Sequence, residues 1–241
     1  MFTNYISNLN DATTAIRSLG RQNTNLELYK SFKGIILNQV VSVHEVNPDC
    51  ITFQASNCKM CAALVGNVHL RSRQFPKTVV ARVIDRNCRK GMFVLSDFDY
   101  IDTDWKRRKH ERVRPKKPTY VYLHWRRQSI RTPMDNISVN GMGILISKRL
   151  ESGKKIQPSS KIKLDFQLPP DYKFVSVKGT IVYLYEMDSV LTKIGIQLHT
   201  NVKEARFLGE YVDQRKKEIM EELNQSFNEL SKPWGVENLY F

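Results

Sequence analysis

Short apolar runs, each closed off by turn-forming residues, leave this chain few folds other than a β-rich one. Between Phe32 and Ile101 the runs lie at Gly34 to Val46, Cys50 to Ala55, Ala62 to Leu70, Thr78 to Ile84 and Gly91 to Leu95. Asn47-Pro48-Asp49, Pro76 and the stretch from Asn87 to Gly91 interrupt them, because proline removes a ladder donor and asparagine and glycine accept turn conformations. A second series follows at Met142 to Ser147, Lys161 to Leu168, Val177 to Val182 and Lys193 to Leu198. A strand has a period of two, so each run has a face to bury, and several short runs in succession bury it by closing into a barrel or sandwich. The expected fold is mainly all-β: two small antiparallel β-barrels in tandem, the first from five or so strands, with a C-terminal α-helix.

The helix is expected at Val202 to Leu230, where Ala205, Phe207, Leu208, Tyr211, Val212, Ile219, Met220, Leu223, Phe227 and Leu230 recur at a spacing of three and four among charged residues. It reads first as a cap over the open end of the second barrel, with a dimerising or partner-binding helix as the alternative. Residues 1–30 are polar, with Ile6, Leu9, Ala15, Ile16 and Leu19 spaced for a short helix or a loosely docked arm. The first barrel is then expected over 31–101, a connector over 102–107, the second barrel over 108–200 and the helix over 201–232. Glu237-Asn238-Leu239-Tyr240-Phe241 reads as the start of an engineered protease-cleavage site and 233–236 as cloning linker. A chain of 241 residues with 41% hydrophobic content suffices for two cores. No stretch approaches the roughly 18 consecutive apolar residues of a membrane span, and Met1 to Tyr5 lacks the basic and apolar regions of a signal peptide, so a cytoplasmic protein is expected.

The net charge of +14 favours anionic partners without specifying a fold. It concentrates from Lys106 to Lys117, with Arg126, Arg127 and Arg131 close behind; a solvated basic linker is the bland reading of such a run. Cys58 and Cys61 have the CxxC spacing of zinc ligands and redox pairs, with Cys50 and Cys88 as further thiols. The second pair is not CxxC, and isolated cysteines in half-buried strands behave as small core hydrophobes, so no metal is expected. His44, His69, His110, His124 and His199 show no metal-ligand spacing, and no phosphate-binding glycine-rich turn occurs, so no enzyme activity is expected. His110 is expected to face solvent and Asp135 to serve as a turn residue, since a lone acid beside a phosphate site would repel it.

Within the basic run, Arg108 and Arg112 form RxxxR; Asn136-Ile137-Ser138-Val139-Asn140-Gly141 follows as NxSxxG, with Gly143 just beyond. Guanidinium groups are planar forks that grip phosphate oxygens and stack on purines, while short polar side chains and a glycine permit close backbone approach. The two motifs in this order, with strands after them, resemble the PilZ signature over roughly residues 106 to 200. The first half resembles the split barrels that precede PilZ domains in flagellar-brake-like (YcgR-like) proteins.

The resemblance implies a bacterial receptor for cyclic di-GMP, bound by Arg108, Arg112, Asn136, Ser138 and Gly141, with Arg107 and Gly143 in supporting places. No cofactor is implied. Arginines of the first motif would take phosphate and the O6/N7 edge of guanine, and the second motif would contact a guanine. Asn136 stands where many members of the family carry aspartate, so a neutral amide replaces a charge-assisted acceptor. A basic residue at Arg107 can favour a stacked ligand dimer. The implied partner is a protein such as the flagellar motor or secretion or polysaccharide machinery, reached through a ligand-driven change between the barrels. A nucleic-acid-binding regulator is the alternative, although no helix-turn-helix or RRM-like signature is present.

Overall fold

The computed structural model describes residues 12–21, 26–102, 110–147, 156–170 and 172–232. Helix α1 (Ala12–Arg21) precedes strands β1 (Leu26–Phe32), β2 (Ile35–Val46), β3 (Ile51–Ala55), β4 (Asn67–Arg71), β5 (Thr78–Asn87) and β6 (Met92–Ile101). Strands β7 (Tyr120–Trp125), β8 (Gln128–Ser138), β9 (Gly141–Ser147), β10 (Lys161–Leu168), β11 (Lys173–Glu186) and β12 (Leu191–His199) follow, then helix α2 (Val202–Leu230). The strands close into two antiparallel barrels, one in the cyclic order β1-β2-β3-β6-β5-β4 and one in the order β10-β11-β12-β9-β8-β7. Closure leaves no unpaired sheet edge, which is how short strands with one apolar face avoid pairing with other chains.

The chain divides into two compact units, one holding β1 to β6 with α2 from Ile219 onward, the other holding β7 to β12 with α2 through Glu218. The first barrel encloses Leu28, Ile51, Phe53, Val68, Leu70, Val79, Phe93 and Leu95, all at 0–1% exposure. Phe53 and Phe93 stack with ring centroids 5.6 Å apart. The second encloses Val121, Leu123, Leu164, Phe166, Ile181, Ile194 and Ile196. The alternation is clearest in β10, whose Ile162, Leu164, Phe166 and Leu168 are buried between outward-facing neighbours.

Two sequence expectations for the first unit change. The first barrel has six strands because β1 occupies residues expected to belong to the N-terminal arm. The run from Ala62 to Leu70 is not a strand at its start: Cys58–Ala63 form a 3-10 helix, and β4 begins at Asn67. Asn57 caps this helix by accepting from the Lys59 N–H at 3.0 Å, and Arg86 Nη1 donates to the carbonyls of Cys61, Ala62 and Leu64 at its other end. Those contacts satisfy backbone groups that a strand would have paired in the sheet. Cys61 and Cys88 are buried, and burial, with Cys88 and Cys58 nearby, pushes the Cys61 thiol up to about 12.

Helix α2 opens with a reciprocal cap: Asn201 Oδ1 accepts from the Glu204 N–H and Glu204 Oε2 from the Asn201 N–H, each at 2.9 Å. Leu208, Tyr211, Val212, Ile219 and Leu223 form its buried face as the spacing predicted, and Arg215 lies on that face too. Met220 and Leu230, counted with the apolar face in the sequence, are exposed. No helix among the described residues is long and apolar enough to cross a membrane.

Candidate ligand site

The described end of the first motif, His110 to Arg112, runs beside the β8–β9 hairpin of the second barrel. Val113, directly after Arg112, pairs with Ile137 in an antiparallel bridge whose two N–H···O bonds are each 2.9 Å. Antiparallel pairing sets Arg112 beside Ser138 and Arg114 beside Asn136. Farther along, the exposed His110 lies with Nε2 3.1 Å from Asn140 Nδ2, so it faces solvent as expected yet ties the first motif to the turn of the second. Arg107 and Arg108 fall outside the described residues.

The second motif is a tight hairpin built around glycine. In the β8–β9 register Asn136 faces Gly143 and Ser138 faces Gly141. A Cβ at position 143 would stand 2.9 Å from Asn136 Nδ2 and 3.1 Å from Oδ1, and one at 141 would stand 3.2 Å from Ser138 Oγ. The glycines therefore form the space in which the two polar side chains lie flat across the sheet. Ser138 Oγ donates to the Gly141 carbonyl at 3.1 Å. Asn136 Nδ2 donates to Asp135 Oδ2 at 2.7 Å, whereas Asn136 Oδ1 is buried with no hydrogen-bond partner among the described residues. A buried acceptor left unsatisfied costs about 1–3 kcal/mol, a deficit that a donor arriving with a ligand would remove.

Asp135 is not the turn residue the sequence suggested. The β8–β9 register shifts between Met134 and Asn136, so Asp135 occupies a bulge in mid-strand, and all five residues from Met134 to Ser138 are buried. Its carboxylate accepts from Lys193 Nζ at 2.5 Å and from Arg114 Nη2 at 2.9 Å. Burial alone would raise its pKa, but the bonds and charges of Lys193, then Arg114 and the Asn136 amide, outweigh it and hold the group below the ordinary carboxylate range. Its negative charge is compensated on the spot, which removes the repulsion that argued against an acid here.

Residues 106–214 match the PilZ domain family. Over that span this chain is a PilZ domain. An uncharacterised protein of Aquifex aeolicus is 23% identical over 158 residues, covering 66% of this chain and 72% of that one. Among solved structures, Escherichia coli YcgR in complex with c-di-GMP aligns at 12% identity and TM-score 0.44, covering 90% of this chain and 95% of that one. The Bacillus subtilis inhibitor of motility MotI/DgrA aligns at 13% identity and TM-score 0.42, covering 81% and 97%.

The PilZ domain also draws on residues that no motif marked. The Arg215 Nε donates to the Arg114 carbonyl at 3.0 Å, and its Nη1 pairs with Glu218 at 3.0 Å. Lys216 Nζ reaches the Glu111 carboxylate at 2.6 Å. These bonds fasten α2 to the segment carrying Arg112. The sequence signal was weak but present: an arginine in phase with Leu208, Tyr211 and Ile219 on an amphipathic helix has to find buried acceptors.

Proposed function

We propose that this chain is a cyclic di-GMP effector, with the dinucleotide held where the first motif crosses the β8–β9 hairpin of the PilZ domain. The observation that carries this reading is the orphaned Asn136 Oδ1, buried over Gly143 and next to the strand of Arg112. Guanine offers N1–H and N2–H₂ donors to such an acceptor, and its O6/N7 edge and the phosphodiesters offer acceptors to arginine. The residues present fit the ligand: Arg112 and Arg108 as cationic forks, Asn136 and Ser138 as polar contacts, Gly141 and Gly143 as the space for them, Arg107 as the extra charge.

Isothermal titration calorimetry with cyclic di-GMP tests the reading. Each arginine makes charge-assisted bonds worth about 1.5–3 kcal/mol, so Arg108→Ala and Arg112→Ala should each weaken binding by ten- to a hundredfold. Unchanged affinity in both variants would sink it. The chain runs from β6 into the first motif after a short stretch, so binding is proposed to alter the relation between the units and to act on a protein partner in motility, secretion or polysaccharide export. Small-angle scattering with and without ligand should differ at constant secondary structure. A nucleic-acid partner is the second reading, favoured by charge: residues 108–218 hold 23 Lys or Arg against 11 Asp or Glu, a net +12 of the chain's +14. Binding of duplex DNA that falls steeply with salt and lacks sequence preference would reduce that reading to charge attraction.

A further inference from the structure

We propose that Asp135 is a positioning residue that fixes the orientation of the Asn136 amide, so that this PilZ domain presents a carbonyl oxygen, as an aspartate would, to the donor edge of guanine. The inference rests on the cyclic di-GMP reading above and adds a residue outside both motifs to it. An asparagine amide can turn over, exchanging an acceptor for a donor at the same place, and nothing in its own shape decides which end faces a ligand. Asp135 decides it here. An ionised carboxylate accepts and cannot donate, so the end of Asn136 that lies 2.7 Å from Asp135 Oδ2 must be the NH₂ group. Oδ1 is then the end left without a partner. Lys193 at 2.5 Å and Arg114 at 2.9 Å keep the carboxylate charged and hold it in place from β12 and from the strand that follows Arg112. The bulge is what makes this possible, since in a regular strand neighbouring side chains point to opposite faces and could not bond to each other in this way.

Two measurements test the assignment, one of which needs no ligand. In the free protein, side-chain amide NMR should show the Asn136 NH₂ protected from hydrogen exchange in the native chain and losing that protection in Asp135→Asn. Exchange in the native chain as fast as for an exposed asparagine would overturn the proposal, whether or not cyclic di-GMP binds. Calorimetry supplies the second test. Asp135→Asn, with its fold checked by circular dichroism, should bind cyclic di-GMP about tenfold more weakly, because the amide can then turn its NH₂ toward the guanine donors. The preference for cyclic di-GMP over cyclic di-IMP, which lacks the guanine 2-amino group, should shrink toward unity. The swapped double variant Asp135→Asn/Asn136→Asp should regain affinity and preference, since a carboxylate at 136 is an acceptor in either orientation. If native affinity is high but Asp135→Asn keeps both affinity and preference, the positioning role fails while the cyclic di-GMP reading stands. If the native chain binds no cyclic di-GMP, that reading fails first, and the exchange measurement still decides what Asp135 does to Asn136.

Discussion

The two barrels follow one strand order. Numbering the strands of the second from β7, its cycle read in reverse is that of the first, and β2–β3 in one answers to β8–β9 in the other. The second strand of each carries a bulge, at His44 in the first barrel and at Asp135 in the second. Beyond the bulge they diverge. His44, Glu45 and Val46 are exposed, and their hairpin turns through Asn47-Pro48-Asp49-Cys50; Asn136, Ile137 and Ser138 are buried, and their hairpin turns through two residues onto glycine. The charges diverge in the same sense, +12 over residues 108–218 and +2 (15 basic, 13 acidic) over the rest. A common topology thus offers the same hairpin twice, and the one proposed as the site is the one that buries a polar atom, Asn136 Oδ1, with no partner among the described residues.

If that contrast is right, damage to the first barrel should spare the site. Phe53→Ala removes a fully buried ring stacked on Phe93 and should destabilise the first unit by about 3–5 kcal/mol. Hydrogen exchange should accelerate across β1 to β6 while cyclic di-GMP affinity stays close to native. Ligand binding lost in step with exchange protection would break the comparison, because the site would then depend on the first barrel. The next largest effect belongs to the glycine cradle. Gly143→Val should displace Asn136, cost about 1–3 kcal/mol in overpacking and weaken cyclic di-GMP binding by ten- to a hundredfold. Thr52, the corresponding residue opposite Glu45 in the first barrel, should tolerate substitution by alanine with no change in affinity.

Much of this was legible in the sequence, for identifiable reasons. Strands such as Lys161 to Leu168 were found because period-two alternation is local information, and the NxSxxG motif because its residues resemble a family signature. What failed was long-range. The 3-10 helix at Cys58–Ala63 depends on Arg86, distant in sequence, to satisfy its last carbonyls. Asp135 looked like a turn residue because its two cations come from positions 114 and 193, and a bulge leaves no period to detect. Arg215 was set among the charged residues between apolar positions, because its buried role depends on the backbone of Arg114.

Acid should separate the barrels as well. His69, in β4, is pushed down to about 4 by burial and by the charge of Lys30, against a hydrogen bond with the Tyr29 backbone. The folded first barrel keeps it neutral while the unfolded chain protonates near pH 6.5. That contribution to stability is complete above about pH 6.5 and is lost as pH falls toward 4. Asp135 is shifted below the ordinary carboxylate range, so the second barrel's ion pairs should persist through the same interval. Hydrogen exchange at pH 5 should therefore speed up in the first barrel before the second, and His69→Gln should flatten the difference. Loss of protection in both barrels together, unaltered by that substitution, would show that another group governs the acid limb.

The smallest effect concerns a feature of the PilZ barrel that lies outside the barrel, the fastening of α2 to the first motif. Glu111 and Lys216 meet at 2.6 Å, but their side chains are 52% and 43% exposed, and pairs in that position contribute about 0.2–1 kcal/mol. Glu111→Gln and Lys216→Gln should each weaken cyclic di-GMP binding by a fewfold at most, and the double variant should be no weaker than either one. The penalty should fade at high salt, since the pair is open to screening. Independent, additive losses would mean that the Val113–Ile137 bridge alone sets the path of Arg112 and that the helix merely covers the barrel. A coupling well above 1 kcal/mol would mean the reverse, that α2 is a structural member of the site and carries its state away from the barrel. The buried Arg215, the residue just before Lys216, already holds the Arg114 carbonyl, which makes a small exposed contribution the expected result.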